Sequence, residues 1–383
     1  MIMGFAPDAI RDCERCCNCA QILVTKQINH KVSLTGRLIY DRLLSPGAGP
    51  ACAKIQTSYF RRHTLRSIDI HAHSHPRCFL RAVNAGQDWH GLTVDSDEAD
   101  VDPKEEWTPD QRITDMDSLG VDVQVVSTTA NFYQYHRDVA TALAIAKECN
   151  DEVHQMTMDY PDRFKGFATL PMQDPKTAIS ELDRAMRQLG LVGAMIDDSV
   201  NGKTYDEPEF LPFWKAAEQM GALIFIHQGS PTVVEARIDE YHLPNTIGNL
   251  ADRTITFASF VFGGVMDQCP DLKICLAHGG GYSCFGIGRM DRGWQVRSEA
   301  RANIQQPPSA YLNKFYYDCL THSEPALRML IDSVGIERVV LGTDWPFDMG
   351  IDWPVSWVQG LTSLTQAEKD AILWQNLEQL LGI

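Results

Sequence analysis

Ile68-Asp69-Ile70-His71-Ala72-His73 is the stretch from which the fold is read. An apolar, β-branched run ends abruptly on two histidines. The same pattern returns in Leu223-Ile224-Phe225-Ile226-His227, in Ile274-Cys275-Leu276-Ala277-His278 and in Val339-Val340-Leu341-Gly342-Thr343-Asp344. Parallel strands buried on both faces read as continuous apolar runs. In a (β/α)8 barrel the chemistry sits where such strands end, at the C-terminal face. Strand ends carrying histidine or aspartate across almost the whole chain therefore predict one shared site.

Working outward, strand patterns fall at Ser67–His71, Val121–Ser127, Phe164–Leu170, Leu191–Ile196, Ala222–His227, Leu272–His278, Phe315–Cys319 and Arg338–Thr343. Helical patterns separate most of them: Asp138–Asp159 with Pro161 beyond its end, Pro175–Leu189 closed by Gly190, and Phe210–Met220 closed by Gly221. Strands alternating with helices at this spacing predict an α/β fold, a TIM-type (β/α)8 barrel over residues 67–383. No Gly-x-Gly-x-x-Gly or Walker pattern follows an early strand, which weakens a nucleotide-binding reading. Residues 1–66 lack clear periodicity and read as an N-terminal extension, with a loop at Pro46-Gly47-Ala48-Gly49-Pro50. Gly86 to Glu106 is polar, acidic and long for a barrel loop. It reads as a flap inserted after the first strand.

The 383 residues suffice for one large barrel, and 44% hydrophobic with 22% charged residues is ordinary for a globular enzyme. A formal net charge of −16 argues against nucleic acid and anionic membranes as partners, since both need clustered Lys and Arg. No apolar run approaches the ~20 residues of a membrane span. Charged residues from Asp8 to Arg15 break up any signal-peptide core, so a cytoplasmic protein is expected. Most of the 11 cysteines are scattered and read as buried thiols. Cys13, Cys16, Cys17 and Cys19 cluster, but no second ligand pair lies nearby to complete a structural zinc site.

His71 and His73 are two apart at a strand end, so both imidazoles point to one side and can converge on one ion. His227 adds a third nitrogen and Asp344 a carboxylate. Such a set suits one divalent metal, Zn2+ first, with Mn2+ also accommodated. One of these histidines alone would read as a satisfied structural residue; several at strand ends of one fold read as a metal site. His278, before Gly279-Gly280-Gly281, is either a further ligand or the acid/base residue, since an imidazole of ordinary pKa near ~6.5 moves protons at neutral pH.

His71-x-His73, His227, Ala277-His278-Gly279-Gly280-Gly281 and Gly342-Thr343-Asp344-Trp345-Pro346-Phe347 together resemble the amidohydrolase superfamily. More narrowly they resemble the amidohydrolase-2 branch that holds 2-amino-3-carboxymuconate-6-semialdehyde decarboxylase and related aromatic-acid decarboxylases. Arg112-Ile113-x-x-Met116-Asp117-x-x-Gly120-Val121-Asp122-Val123-Gln124 and Leu170-Pro171-Met172-Gln173 support the likeness, which runs from about Ser67 to the C-terminus. The resemblance implies that His71, His73, His227 and Asp344 hold a divalent metal, commonly zinc. It implies that His278 hydrogen-bonds the metal-bound water and acts in catalysis. It further implies a homodimer in which Arg289 reaches into the neighbouring subunit's pocket to hold a substrate carboxylate. Two departures stand out. No arginine lies between Arg81 and Arg112, where the branch carries a second carboxylate-binding arginine; His90 and Lys104 are the nearest candidates. The branch's His-Pro-Trp-Asp is here His227-Gln228-Gly229-Ser230.

Further substrate contacts are expected from Trp89, His90, Phe132, Tyr135, His322 and Trp345, which lie in the insertion or beyond strand ends. Tyr133, His136, His75 and Arg292 are weaker candidates. The expected function is a metal-dependent decarboxylase of an aromatic or muconate-type carboxylic acid in aromatic catabolism, with His278 and Asp344 as catalytic residues. The alternative is a hydrolase of a carbon–carbon or ester bond in a ring-cleavage product. A catalytically inert scaffold barrel is a third reading, opposed by the complete ligand set.

Overall fold

In a computed structural model of the chain, residues 66–99, 101–229, 237 and 240–383 are described. The N-terminal extension, with its cysteine cluster and Pro/Gly loop, lies outside the described residues, apart from its last residue. The apolar runs become eight strands: β1 (Ile68–Ser74), β2 (Val123–Thr128), β3 (Phe164–Ala168), β4 (Gly193–Ile196), β5 (Leu223–Ile226), β6 (Lys273–Leu276), β7 (Tyr316–Asp318) and β8 (Val339–Val340). Each pairs in parallel with the next, in the order β1 to β8. Main-chain bonds close the ring. Ile70 N donates to Leu341 O (2.9 Å), Asp344 N to His71 O (2.8 Å) and His73 N to Trp345 O (2.7 Å). The expected TIM-type barrel is therefore present. Every strand residue from Leu223 to Ile226 is buried, because barrel strands face side chains inside and helices outside.

Local signals place the helices. The described α-helices of at least seven residues are α1 (Arg77–Asn84), α2 (Pro109–Leu119), α3 (Val139–Asp159), α4 (Pro175–Arg187), α5 (Leu211–Met220), α6 (Asn249–Phe262), α7 (Ser283–Val296), α8 (Glu324–Val334) and α9 (Pro354–Gly360). Thr108 and Gln111 form a capping box on α2, with Pro109 at its first position and Gly120 left-handed beyond its end. Asp138 caps α3 by accepting from Thr141 N, and left-handed Gly221 follows α5. Helix α4 stops at Arg187, short of the expected Leu189, and Gln188 closes it. Between β4 and β5 only glycine fits at 193: a Cβ there would lie 1.8 Å from Leu223 O.

The insertion after β1 is a packed element. Trp89 and Leu92 bridge to each other, and with Phe79, Val83, Phe132, Ile145 and Cys149 they form a small second core between α1 and α3. Trp89 and Leu92 bury in this cluster against α1 and α3, which is why a polar, acidic stretch holds its place.

Candidate metal centre and active site

The strand ends converge as their sequences require. A bulge in β1 between Asp69 and Ala72 re-aims the strand just where His71 sits. Asp344 lies at the centre. Its Oδ1 is 3.1 Å from Nε2 of both His71 and His73 and 3.8 Å from His227 Nε2; its Oδ2 is 3.6 Å from His278 Nε2. Donors about 2.0–2.1 Å from one ion lie no more than about 4.2 Å apart, so this spacing suits one cation. Ligand atoms of His71, His227, His278 and Asp344 form one group within 4.8 Å, somewhat wider than a bound ion would draw them; this group holds His278, while His73, expected as a ligand, meets it through Asp344 Oδ1. Nε2 of His71, both ring nitrogens of His227 and Nδ1 of His278 are buried without a hydrogen-bond partner. Buried polar atoms normally find partners, so the unpartnered Nε2 atoms of His71 and His227, both facing the Asp344 carboxylate, fit one divalent metal ion.

A second layer orients these rings. Asp318, at the end of β7, accepts from His71 Nδ1 at 2.7 Å and from the main-chain N–H of Gly279 at 2.9 Å. It thus links a ring of the centre to the glycine loop. Burial opposes a charge on His71, but Asp344 and Asp318 outweigh it and pull its pKa up to about 10. Burial likewise opposes the Asp318 and Asp344 carboxylates, yet their histidine neighbours hold both below the ordinary range. His227 goes the other way, pushed well below its ordinary value mainly by burial. Asp69, inside the barrel, accepts from Thr343 Oγ1 (2.7 Å), Thr343 N (3.0 Å), His71 N (3.0 Å) and Gln124 Nε2 (3.2 Å). It locks β1 to β2 and to the end of β8. Burial outweighs these bonds and raises its pKa to about 6. Fully buried Arg112 donates to His73 O at 2.6 Å, which fixes that ligand's main chain.

His278 and Asp344 have φ of +54° and +62°. Non-glycine residues are rarely held there unless the surroundings over-determine them, and such strain concentrates at functional sites. Beyond His278 the glycines permit close contact. A Cβ on Gly281 would lie 2.2 Å from Leu250 O, and one on Gly280 would lie 2.6 Å from the Tyr317 ring.

A cavity of ≈ 590 Å³ opens beside the centre, with His278, Asp344, His322, Asn249, Tyr282 and Phe285 among its lining. That size suits a small organic acid. The other sequence candidates are placed elsewhere. Trp89 Nε1 donates to Glu148 at 2.7 Å, and His90 Nε2 pairs with the same carboxylate at 2.7 Å. Phe132 packs in the second core. The Tyr135 ring stacks on Tyr133, whose hydroxyl donates to His227 O at 2.8 Å. Trp345 lies under the Arg112 guanidinium, 4.1 Å from its ring centre, and donates to Asp115. His75 is buried beside Glu105 and Phe132, and His136 is exposed. Lys104 pairs with Asp115. Arg289 and Arg292 are exposed on α7.

The sequence reading passed over Asp318, Asp69, Arg253 and Phe347. The Phe347 ring centre is 5.3 Å from that of His73. Arg253 is fully buried, donates to Gln228 Oε1 at 2.7 Å and lies 3.3 Å from Asp198 Oδ2. An acid ending the β7 run was a visible signal for Asp318. A polar residue inside a helical pattern gave none for Arg253.

The amidohydrolase family profile matches residues 68–383. Over 278 residues the chain is 37% identical to 2-amino-3-carboxymuconate-6-semialdehyde decarboxylase of Dictyostelium discoideum, covering 72% of this chain and 77% of that one. It is 30% identical over 284 residues to gamma-resorcylate decarboxylase of Polaromonas sp. strain JS666, covering 71% and 86%. A crystal structure of dihydroxybenzoic acid decarboxylase from Polaromonas sp. JS666, with bound manganese and the inhibitor 2-nitroresorcinol, superposes with a TM-score of 0.72 at 25% identity, covering 83% of this chain and 97% of that one. With the barrel, the converging histidines and the central aspartate in place, the profile match establishes that this chain belongs to the amidohydrolase family.

Proposed function

We propose that this protein is a metal-dependent decarboxylase of an aromatic carboxylic acid. The observation that carries the reading is the set of imidazoles closing on Asp344 at the mouth of a barrel, beside a cavity of ring-acid size. The activities of the relatives support it. His71, His73, His227 and Asp344 hold the ion, with zinc favoured by the nitrogen-rich donor set and manganese by the metal of the Polaromonas relative. Bound there, a divalent cation supplies the Lewis-acid charge that orients and neutralises the acid's carboxylate. Asp318 holds the His71 ring in place.

His278 carries the proton. The bond between ring carbon and carboxylate carbon breaks, the electron pair stays on the conjugated ring, and His278 protonates that carbon as carbon dioxide leaves. Asp344 Oδ2 lies 3.6 Å from His278 Nε2, which puts the proton carrier beside the carboxylate of the ion site. The protein acts as a homodimer, with Arg289 of each subunit reaching the other's cavity. Supporting this, Phe285 is 81% exposed at the cavity mouth, one turn before exposed Arg289 on α7. The described cysteines are free and mostly buried, which fits a cytoplasmic setting.

The test is to incubate metal-loaded protein with dihydroxybenzoic acids and with 2-amino-3-carboxymuconate-6-semialdehyde, and to measure carbon dioxide. One carbon dioxide per molecule of acid consumed is expected. Two organic fragments without carbon dioxide would mean hydrolysis and refute the reading.

A further inference from the structure

The ligand imidazoles are not held alike. His71 Nδ1 donates to Asp318 at 2.7 Å, and His73 Nδ1 lies 3.3 Å from Ser127 Oγ. His227 Nε2 lies 3.8 Å from Asp344 Oδ1, but its Nδ1 is buried with no hydrogen-bond partner among the described residues. A ligand histidine ordinarily donates its second nitrogen to a fixed acceptor, which sets the direction of the ring. What aims His227 must therefore act through its main chain.

That main chain is pinned on both sides. His227 N donates to Ile196 O at the end of β4, at 2.9 Å. The ladder to β6 stops one residue earlier, where Ile226 O accepts from Ala277 N at 3.2 Å. His227 O is left without a main-chain donor among the described residues, and the Tyr133 hydroxyl takes it at 2.8 Å. Tyr133 is itself fixed: it is buried, and its ring stacks on Tyr135 at 5.4 Å between centres. Two residues beyond the histidine, Gly229 N donates to Asp197 Oδ1 at 2.8 Å, and the Tyr205 hydroxyl donates to Asp197 O at 2.6 Å. Gly229 leaves room for this clamp. A Cβ there would lie 2.9 Å from Asp197 Oδ2 and 3.3 Å from the Tyr133 ring. The departure from His-Pro-Trp-Asp thus has a packing counterpart, because a tryptophan in place of Gly229 would crowd both groups.

We propose that Tyr133 is a positioning residue that aims His227 at the ion by holding its main-chain carbonyl. This rests on the reading that His227 is a metal ligand. A buried carbonyl needs a donor, so with the phenol in place the strand end is fixed and only the side-chain torsions of His227 remain to be set. Without the hydroxyl the carbonyl turns toward another donor, and the ring turns with it. Ligand geometry tolerates only about 0.5 Å of such drift. Arg112 takes the His73 carbonyl in the same way, at 2.6 Å.

The test is titration of chelator-stripped full-length protein with Co2+, read by visible absorption, for the wild type, Tyr133→Phe, Gly229→Ala and His227→Ala. The melting temperature of each metal-free protein is measured alongside. Tyr133→Phe removes only the hydroxyl. It is expected to bind Co2+ about tenfold more weakly and with an altered absorption band. Gly229→Ala, which crowds the Tyr133 ring, should move both readings the same way, and it decides the matter if Tyr133→Phe fails to fold. Unchanged Co2+ affinity overturns the proposal even where the metal-free protein melts lower, since a merely structural bond would weaken the fold and leave the ion alone. His227→Ala separates the proposal from its premise. If that variant binds Co2+ as tightly as the wild type, the ligand assignment fails and the proposal falls with it. If it loses Co2+ while Tyr133→Phe does not, the positioning role alone is refuted. No turnover is measured, so the result stands whether or not the protein releases carbon dioxide.

Discussion

His278 separates two roles that its position allows. Its Nε2 lies within the donor cluster, yet it sits on a loop beyond the strand and lines the cavity. As proton carrier, His278→Ala should keep its metal and lose about 10²–10⁴-fold in turnover, measured as carbon dioxide release beside metal analysis. Metal loss in that variant would make His278 a ligand instead. Arg253 tests the polar wall behind the cavity. Asp198 is buried, and burial raises its pKa while Arg253 opposes the rise. Arg253→Met strips that carboxylate of its cation and should cost about 3–5 kcal/mol, read by denaturant unfolding. A loss below about 1 kcal/mol would show that water replaces the guanidinium. At this scale the ligand histidines were legible because each closes an apolar run. Arg253, Asp198 and Gln228 were not, because they meet only when β4, β5 and α6 pack.

Between elements, the end of β4 is joined to the segment after β5 by Asp197, whose Oδ1 accepts from Gly229 N at 2.8 Å. Burial, with Asp198 next to it, outweighs the main-chain donors and pushes the Asp197 pKa from 3.8 up to about 7. The sign follows from linkage: a raised acid binds its proton more tightly when folded, so its contribution is fully present below pH 3.8 and is lost as pH rises through about 7. Asp197→Asn removes that dependence and keeps an acceptor for Gly229. Relative to wild type, its melting temperature should rise between pH 5 and pH 8; a difference that stays flat or falls would contradict the raised pKa. Helix ends were readable from sequence because caps are local, as Asp138 and Gly221 show. The insertion was not. Its polar composition hid Trp89 and Leu92 as core residues, since burial of two side chains depends on what α1 and α3 place beneath them.

For the whole molecule, metal and fold are coupled. The centre draws on β1, β5, the loop after β6 and the segment after β8, so an ion bound there ties distant parts of the barrel together. Stripping metal with a chelator should lower the melting temperature, and restoring one divalent ion per chain should recover it. An unchanged melting temperature after verified metal loss would refute the assignment of these residues as the cage. The sequence by itself determined the barrel and the identity of the converging residues, because strand periodicity and strand-end chemistry are local and each run carries its own signal. Tertiary structure alone decided which polar residues surround them. Asp318 beneath His71 and Arg253 behind Gln228 are set by packing between elements far apart in the chain, and no local pattern encodes such a contact.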